Sequence, residues 1–259
     1  MSYSPPSDFG LQVSRGLVSG ITSVNKFGRC PNGVQITASD VWSRCDATPT
    51  QQIWVAPTAA RIHSLVSTSI NDTSAGTGAR TVKVFGLTSW TTAEVNETVT
   101  LNGLVPVNTT NSYVIIHRII VITSGSASVN AGIITATAAT DLTVTAQIDA
   151  GQGQTQMTIY GVPSTQSFYL KALFASINDA TAATRVDVEF RVNENPNVQL
   201  LNFVNRRDFQ LANNGSSAYV RNLELPTKYV GPCIIKMQAL ASAADVDLSA
   251  GYDGYLVTN

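Results

Sequence analysis

The run Arg185-Val-Asp-Val-Glu-Phe-Arg-Val192 suits an extended chain and no helix. Side chains alternate across a strand, so Val186, Val188, Phe190 and Val192 share one face while Arg185, Asp187, Glu189 and Arg191 share the other. The same period of two sets Leu142, Val144, Ala146 and Ile148 against Thr143, Thr145 and Gln147, and segments 97–101 and 233–240 read alike. Val, Ile and Thr suit a pleated surface because branched β-carbons pack well there. Turn pairs such as Asn102-Gly103, Ser124-Gly125, Asn214-Gly215 and Gly231-Pro232 separate these runs. No segment keeps a 3.6-residue period over three turns. Short strands between polar turns predict an all-β sandwich or barrel, a jelly-roll-like β-sandwich being the expected form.

An internal echo suggests how many such units there are. Ile53-Trp-Val-Ala-Pro57 leads through an apolar strand to Ser69-Ile-Asn-Asp72, a small-residue loop and Arg80-Thr-Val-Lys-Val-Phe85. Ile159-Tyr-Gly-Val-Pro163 leads in the same way to Ser176-Ile-Asn-Asp179, a small-residue loop and Arg185-Val-Asp-Val-Glu-Phe190. The offset between the copies is about the length of a small β-sandwich. The expected organisation is therefore an extended N-terminal arm over 1–45, a first sandwich unit over 46–155 and a related second unit over 156–259. The alternative is one large jelly roll over 46–259.

The arm is punctuated by Pro5, Pro6 and recurrent glycine, and it cannot form a core alone. Phe9, Leu11, Val13, Leu17, Val18 and Ile21 supply apolar area at intervals, so they are the expected contacts of a clasp laid on another surface. Deleting residues 1–29 is then expected to leave the sandwiches folded and to weaken assembly. Arg206 and Arg207, beside Phe203 and Phe209, form a basic-aromatic patch that suits either a grip on a partner or an ordinary strand end.

Little in the chain points to catalysis. His63 and His117 are the only histidines; each stands alone in an apolar run and reads as a core or interface group, which leaves neither a zinc set nor a Ser-His-Asp triad. Gly76-Thr-Gly78 and Gly151-Gln-Gly153 lack the Lys-Ser/Thr of a phosphate loop. Glu94 and Glu97 are near in sequence, as are Asp187 and Glu189, but the second pair interleaves with arginines in the manner of cross-strand ion pairs. Asp245, Asp247 and Asp253 do not make a calcium loop. The expectation is a non-enzyme with no cofactor and no metal.

Charge and hydropathy narrow the partners. The formal net charge is −1 and the pI about 6.1, so there is no basic field to gather nucleic acid. Charged residues make up only 13%, about half the usual share, which suits a surface that meets other chains. The longest apolar run, 113–122, is broken by His117 and Arg118 and is too short to span a membrane. The first residues lack the pattern of a signal peptide, so folding in a reducing cytosol is expected. Cys30, Cys45 and Cys233 then read as small buried hydrophobes, a Cys30–Cys45 disulfide being the alternative.

Several stretches resemble a known group. They are Pro57-Thr-Ala-Ala-Arg-Ile-His-Ser-Leu-Val-Ser, Asn71-Asp-Thr-Ser-Ala-Gly-Thr-Gly-Ala-Arg80, Glu97-Thr-Val-Thr-Leu-Asn-Gly103, Gly153-Gln-Thr-Gln-Met-Thr-Ile-Tyr-Gly-Val-Pro163 and the closing Asp245-Val-Asp-Leu-Ser-Ala-Gly-Tyr-Asp-Gly-Tyr-Leu-Val257. Together they are similar to β-rich virion structural proteins of tailed phages of aquatic bacteria, cyanophages among them. The likeness covers most of 54–257 and leaves out the arm. It implies a virion protein assembled in the host bacterial cytoplasm. The expected role is a capsid decoration (cement) protein, a homotrimer bound to its own copies and to the major capsid protein. The alternatives are a tail, neck or baseplate component, including a receptor-binding one, and a carbohydrate-binding module.

Overall fold

Alternation becomes sheet structure along nearly the whole chain. The computed structural model describes residues 8–45, 52–179, 184–213, 217–243 and 246–259. The turn Asn214-Gly215 and Asp245 lie outside the described residues. A short helix, α1 (Phe9–Ser14), comes first. The strands that follow are β1 (Ile21–Val34), β2 (Ser39–Asp40), β3 (His63–Ser67), β4 (Ala79–Leu87), β5 (Val95–Thr100), β6 (Val107–Asn108), β7 (Ile115–Ser124) and β8 (Ile134–Ala138). After them run β9 (Val144–Ile148), β10 (Tyr160–Val162), β11 (Gln166–Asp179), β12 (Arg185–Asn193), β13 (Val204–Ala212), β14 (Ala218–Val230), β15 (Cys233–Ala241) and β16 (Val246–Thr258).

The fold is all-β, jelly-roll-like, with antiparallel sheets. One pair of sheets has the orders β6-β3-β8-β9 and β5-β4-β7, the other β1-β16-β11-β14 and β10-β15-β12-β13, with β2 also along β15. In these non-sequential orders, strands distant in sequence lie side by side, as in Greek-key folds. In β12 the four apolar residues are fully buried and Arg185 and Asp187 are exposed, as alternation requires. Phe190 of β12 meets Tyr252 of β16 edge-on at 5.3 Å, and Phe168 of β11 meets Tyr252 at 5.7 Å, so two sheets close on one aromatic centre. The Tyr252 hydroxyl donates to the Thr158 carbonyl at 2.8 Å, which spares it an unpaired polar group in the core.

The echo in the sequence has a topological counterpart. β3 pairs with β6 and β8 as β11 pairs with β14 and β16; β4 pairs with β5 and β7 as β12 pairs with β13 and β15. The strands β3 and β4 thus hold places that correspond to β11 and β12, but 69–72 is a turn where 176–179 is the end of β11, and 53–57 forms no strand where 159–163 contains β10. The fourth place beside β8 is filled by β9, but the fourth place beside β16 is filled by β1, from the far end of the chain.

That pairing corrects the expectation of an extended arm over 1–45. Residues 21–34 are a sheet strand, in register with β16 from Ile21↔Val257 to Cys30↔Leu248. Gly28 looked like flexible punctuation. In the fold, a Cβ there would lie 2.4 Å from the Val41 carbonyl oxygen, so the glycine permits close packing of backbone on backbone. Cys30 and Cys45 are joined as a disulfide with Cα atoms 5.5 Å apart, against the expectation of unbridged thiols; the turn through β2 returns the chain onto β1. Cys233 is free and buried, and burial pushes its thiol up.

Asp72, the last residue of the first echo motif, explains why that loop has its composition. Its buried carboxylate accepts from the amides of Ala79 (2.7 Å), Ala131 (2.8 Å) and Gly132 (2.8 Å) and from the Ser67 hydroxyl (2.6 Å). A Cβ on Gly78 would lie 2.1 Å from the same carboxylate. The motif is a structural clamp between loops.

Candidate functional site

The residues expected to form a clasp start at α1. Asp8 caps the helix, accepting from the Leu11 amide at 3.2 Å, and Gly16, at φ +70°, lets the chain turn out of it. Val13 is buried beneath the helix, Val18 and Ile21 are half-buried, and Phe9, Leu11 and Leu17 are exposed. The Phe9 ring stands edge-on to Tyr255 at 5.8 Å. Beside it lies a groove of about 400 Å³, lined by Phe9, Ile21, Tyr169, Leu223, Pro226 and Tyr255, with Lys171 and Glu224. Lys171 donates to the Tyr255 hydroxyl at 3.2 Å. β14 leaves its partner β11 between Asn222 and Thr227, and Leu225 in that bulge is 86% exposed.

Arg206 and Arg207 stand elsewhere, on β13. Arg206 pairs with Glu194 at 2.7 Å, and Arg207 donates to the Thr227 hydroxyl at 2.8 Å. Phe209 stacks on Tyr219 at 4.0 Å, and Phe203 is buried with the Lys236 ammonium 4.2 Å from its ring centre. Arg207 thus reaches the strand that walls the groove, at the end of the Leu225 bulge, while Arg206 turns to Glu194.

A polar cluster that the sequence did not reveal sits where β1 meets β7. His117 and Glu94 are joined through Nε2 at 2.6 Å, and Lys26 donates to the His117 carbonyl at 2.5 Å. The His117 ring lies 4.5 Å from that of Tyr160 on β10. Burial, then the charge of Arg118, pulls the Lys26 ammonium down to about 7. Burial pushes His117 down against the pull of Glu94, whose carboxylate its Nε2 meets. Burial pushes the Glu94 carboxyl up, but the hydrogen bond from His117 and the neighbouring cations outweigh it and hold the group below its usual range. His117 Nδ1 has no hydrogen-bond partner among the described residues. These groups line a cleft of about 320 Å³ with Thr22, Ser23, Val24, Asn25, Phe85, Arg118, Gln166 and Leu256. The one available signal was the break that His117-Arg118 makes in an apolar run.

The remaining candidates take structural places. Burial holds His63 down to about 4, and its Nδ1 lies 2.9 Å from the Arg61 carbonyl. Glu97 accepts from the amides of Thr110 and Asn111 and from the Tyr113 hydroxyl. Glu189 lies 3.5 Å from Arg191, and Asp187 accepts from Gln210 at 2.6 Å. Asp247 pairs with Arg29, and Asp253 accepts from Asn25. Among the described residues no group of three or more His, Cys, Asp or Glu could share a metal ion. No described helix is long and apolar enough to cross a membrane.

No family model and no curated protein matches the sequence. Two solved structures overlap it weakly. The crystal structure of the infectious bursal disease virus VP2 subviral particle aligns over 92% of this chain and 71% of that one, at 10% identity and a TM-score of 0.23. The structure of the Gt strain of the same virus aligns over 92% and 72%, at 10% identity and a TM-score of 0.21. Overlaps at these scores carry no argument about fold or role.

Proposed function

We propose that the chain is a non-enzymatic virion structural protein, and within that class a capsid decoration protein that stabilises a phage head by contact. The observation that carries the reading is the face around α1. Phe9, Leu11, Leu17 and Leu225 are exposed there beside an apolar groove, on a surface otherwise rich in Thr, Ser, Asn and Gln. Apolar groups gathered in this way mark an interaction face. The resemblance of 54–257 to phage virion proteins supplies the kind of particle. Its partners in this reading are its own copies, in a ring of three, and the major capsid protein; a closed ring repeats each contact. The test is a light-scattering mass and a particle-binding assay on the full chain and on the variant Phe9→Ser, Leu11→Ser, Leu225→Ser. The expected result is a trimer that binds particles and a folded variant that is monomeric and does not. Equal masses and equal binding overturn the reading. The cleft beside Lys26 favours a second reading, a tail or baseplate component that binds a receptor.

A further inference from the structure

The cleft between β1 and β7 lies where strands of the two sheet pairs meet, a usual position for a ligand site. Its charged lining is unbalanced. Lys26 and Arg118 are cations, Glu94 is the one carboxylate among the lining residues, and His117 occupies Glu94 at 2.6 Å. Neither cation is ion-paired with a carboxylate among the described residues. Lys26 reaches only the His117 carbonyl, and Arg118 only the Gln154 side chain at 3.1 Å. A buried ammonium in the same cleft as a guanidinium is repelled by it and costs desolvation besides, so an anion bound there relieves both. The two cations outnumber the one carboxylate, which fits a monoanion such as a sugar carboxylate; free phosphate, itself mostly a monoanion at about pH 6, lacks a ring for the walls to hold. The walls pair the rings of Tyr160 and Phe85 with the hydroxyls of Thr22 and Ser23. Apolar faces with hydroxyl partners suit a sugar ring. A second hollow, about 280 Å³, shares Ser23, Asn25, Lys26 and Arg118 and gives a longer glycan somewhere to run.

We propose that this cleft binds a sugar acid, its carboxylate between Lys26 and Arg118 and its ring against Tyr160. The site fails or stands separately from the assembly reading, because none of its residues belongs to the α1 face. The test is isothermal titration of the full chain at about pH 6, where Lys26 carries its proton. Glucuronate, galacturonate and N-acetylneuraminate are the probes, with glucose and inorganic phosphate as comparisons. At least one sugar acid is expected to bind saturably, with glucose and phosphate weaker by about tenfold or more. Lys26→Met and Arg118→Gln are each expected to weaken that binding by about tenfold or more while the oligomer mass stays unchanged. Arg118 is exposed, so its variant tests the site even if the Lys26 variant fails to fold. The proposal is overturned if no sugar acid binds, if phosphate or glucose binds as well as the best of them, or if the Arg118 variant binds like the wild type.

Discussion

Replacing Asp72 by alanine removes an acceptor from four donors at once. The carboxylate is fully buried and takes three backbone amides and one hydroxyl at 2.6–2.8 Å. The Ser67 hydroxyl can turn elsewhere, but the amides of Ala79, Ala131 and Gly132 are fixed by the loops they belong to. Each buried donor left unsatisfied costs about 1–3 kcal/mol. Three of them give roughly 3–9 kcal/mol, and water entering the space left by the carboxylate brings the expectation to about 3–6 kcal/mol. That is a large part of the 5–15 kcal/mol of a typical domain. Asp72→Asn keeps the shape and one oxygen, which can still serve Ala79 and Ala131. Its amide then faces the Gly132 N–H, so about half the loss is expected. The assay is urea unfolding followed by tryptophan fluorescence, since Trp54 and Trp90 are buried in the same core. An alanine variant within about 1 kcal/mol of the wild type, or an asparagine variant worse than alanine, would refute the reasoning.

Other predictions follow from the burial of charge and from strand pairing. Asp40 and Lys236 form a buried ion pair at 2.7 Å, with Gln238 and the Trp54 amide also on the carboxylate; Asp40→Ala strands the ammonium and should cost about 3–5 kcal/mol, while adding Lys236→Met should recover much of it in a melting experiment. Removing residues 1–17 should leave the β-sheet signal in circular dichroism in place, losing only the small contribution of α1. Removing residues 1–29 strips most of β1 from β16 and should unfold the sheets it completes, and a folded product would show that β1 is dispensable. Burial lowers the Lys26 pKa in the folded chain to about 7, so above that value the unfolded chain binds more protons and Lys26 makes stability rise with pH toward its ordinary titration. Urea midpoints of the wild type should therefore climb relative to Lys26→Met from about pH 7 to pH 10, with Glu94, His117, Arg118 and Tyr160 unchanged around it; a constant difference would show that Lys26 keeps its proton.

The alternation in Arg185–Asn193 determined a half-buried strand before any tertiary contact was known, because the period of two is a property of the extended backbone itself. The echo likewise pointed to two pairs of strands in corresponding places, although 69–72 forms a turn after β3 and 176–179 forms the end of β11. Which strand fills the fourth place beside β16 was not written locally. β1 carries glycines and few alternating apolar residues, and read alone it resembles a tether. Its hydrogen-bond partners lie more than two hundred residues away, and only closure of the sheet makes burial of Val24, Lys26 and Cys30 a consequence. The cleft was hidden for the same reason. Lys26, Glu94, His117 and Tyr160 sit at spacings that carry no pattern, and Lys26 looks like an ordinary solvated cation. It becomes a buried ammonium sharing a cleft with a guanidinium only when β1 reaches β7, because desolvation and charge proximity are properties of the packed structure and not of the order of residues.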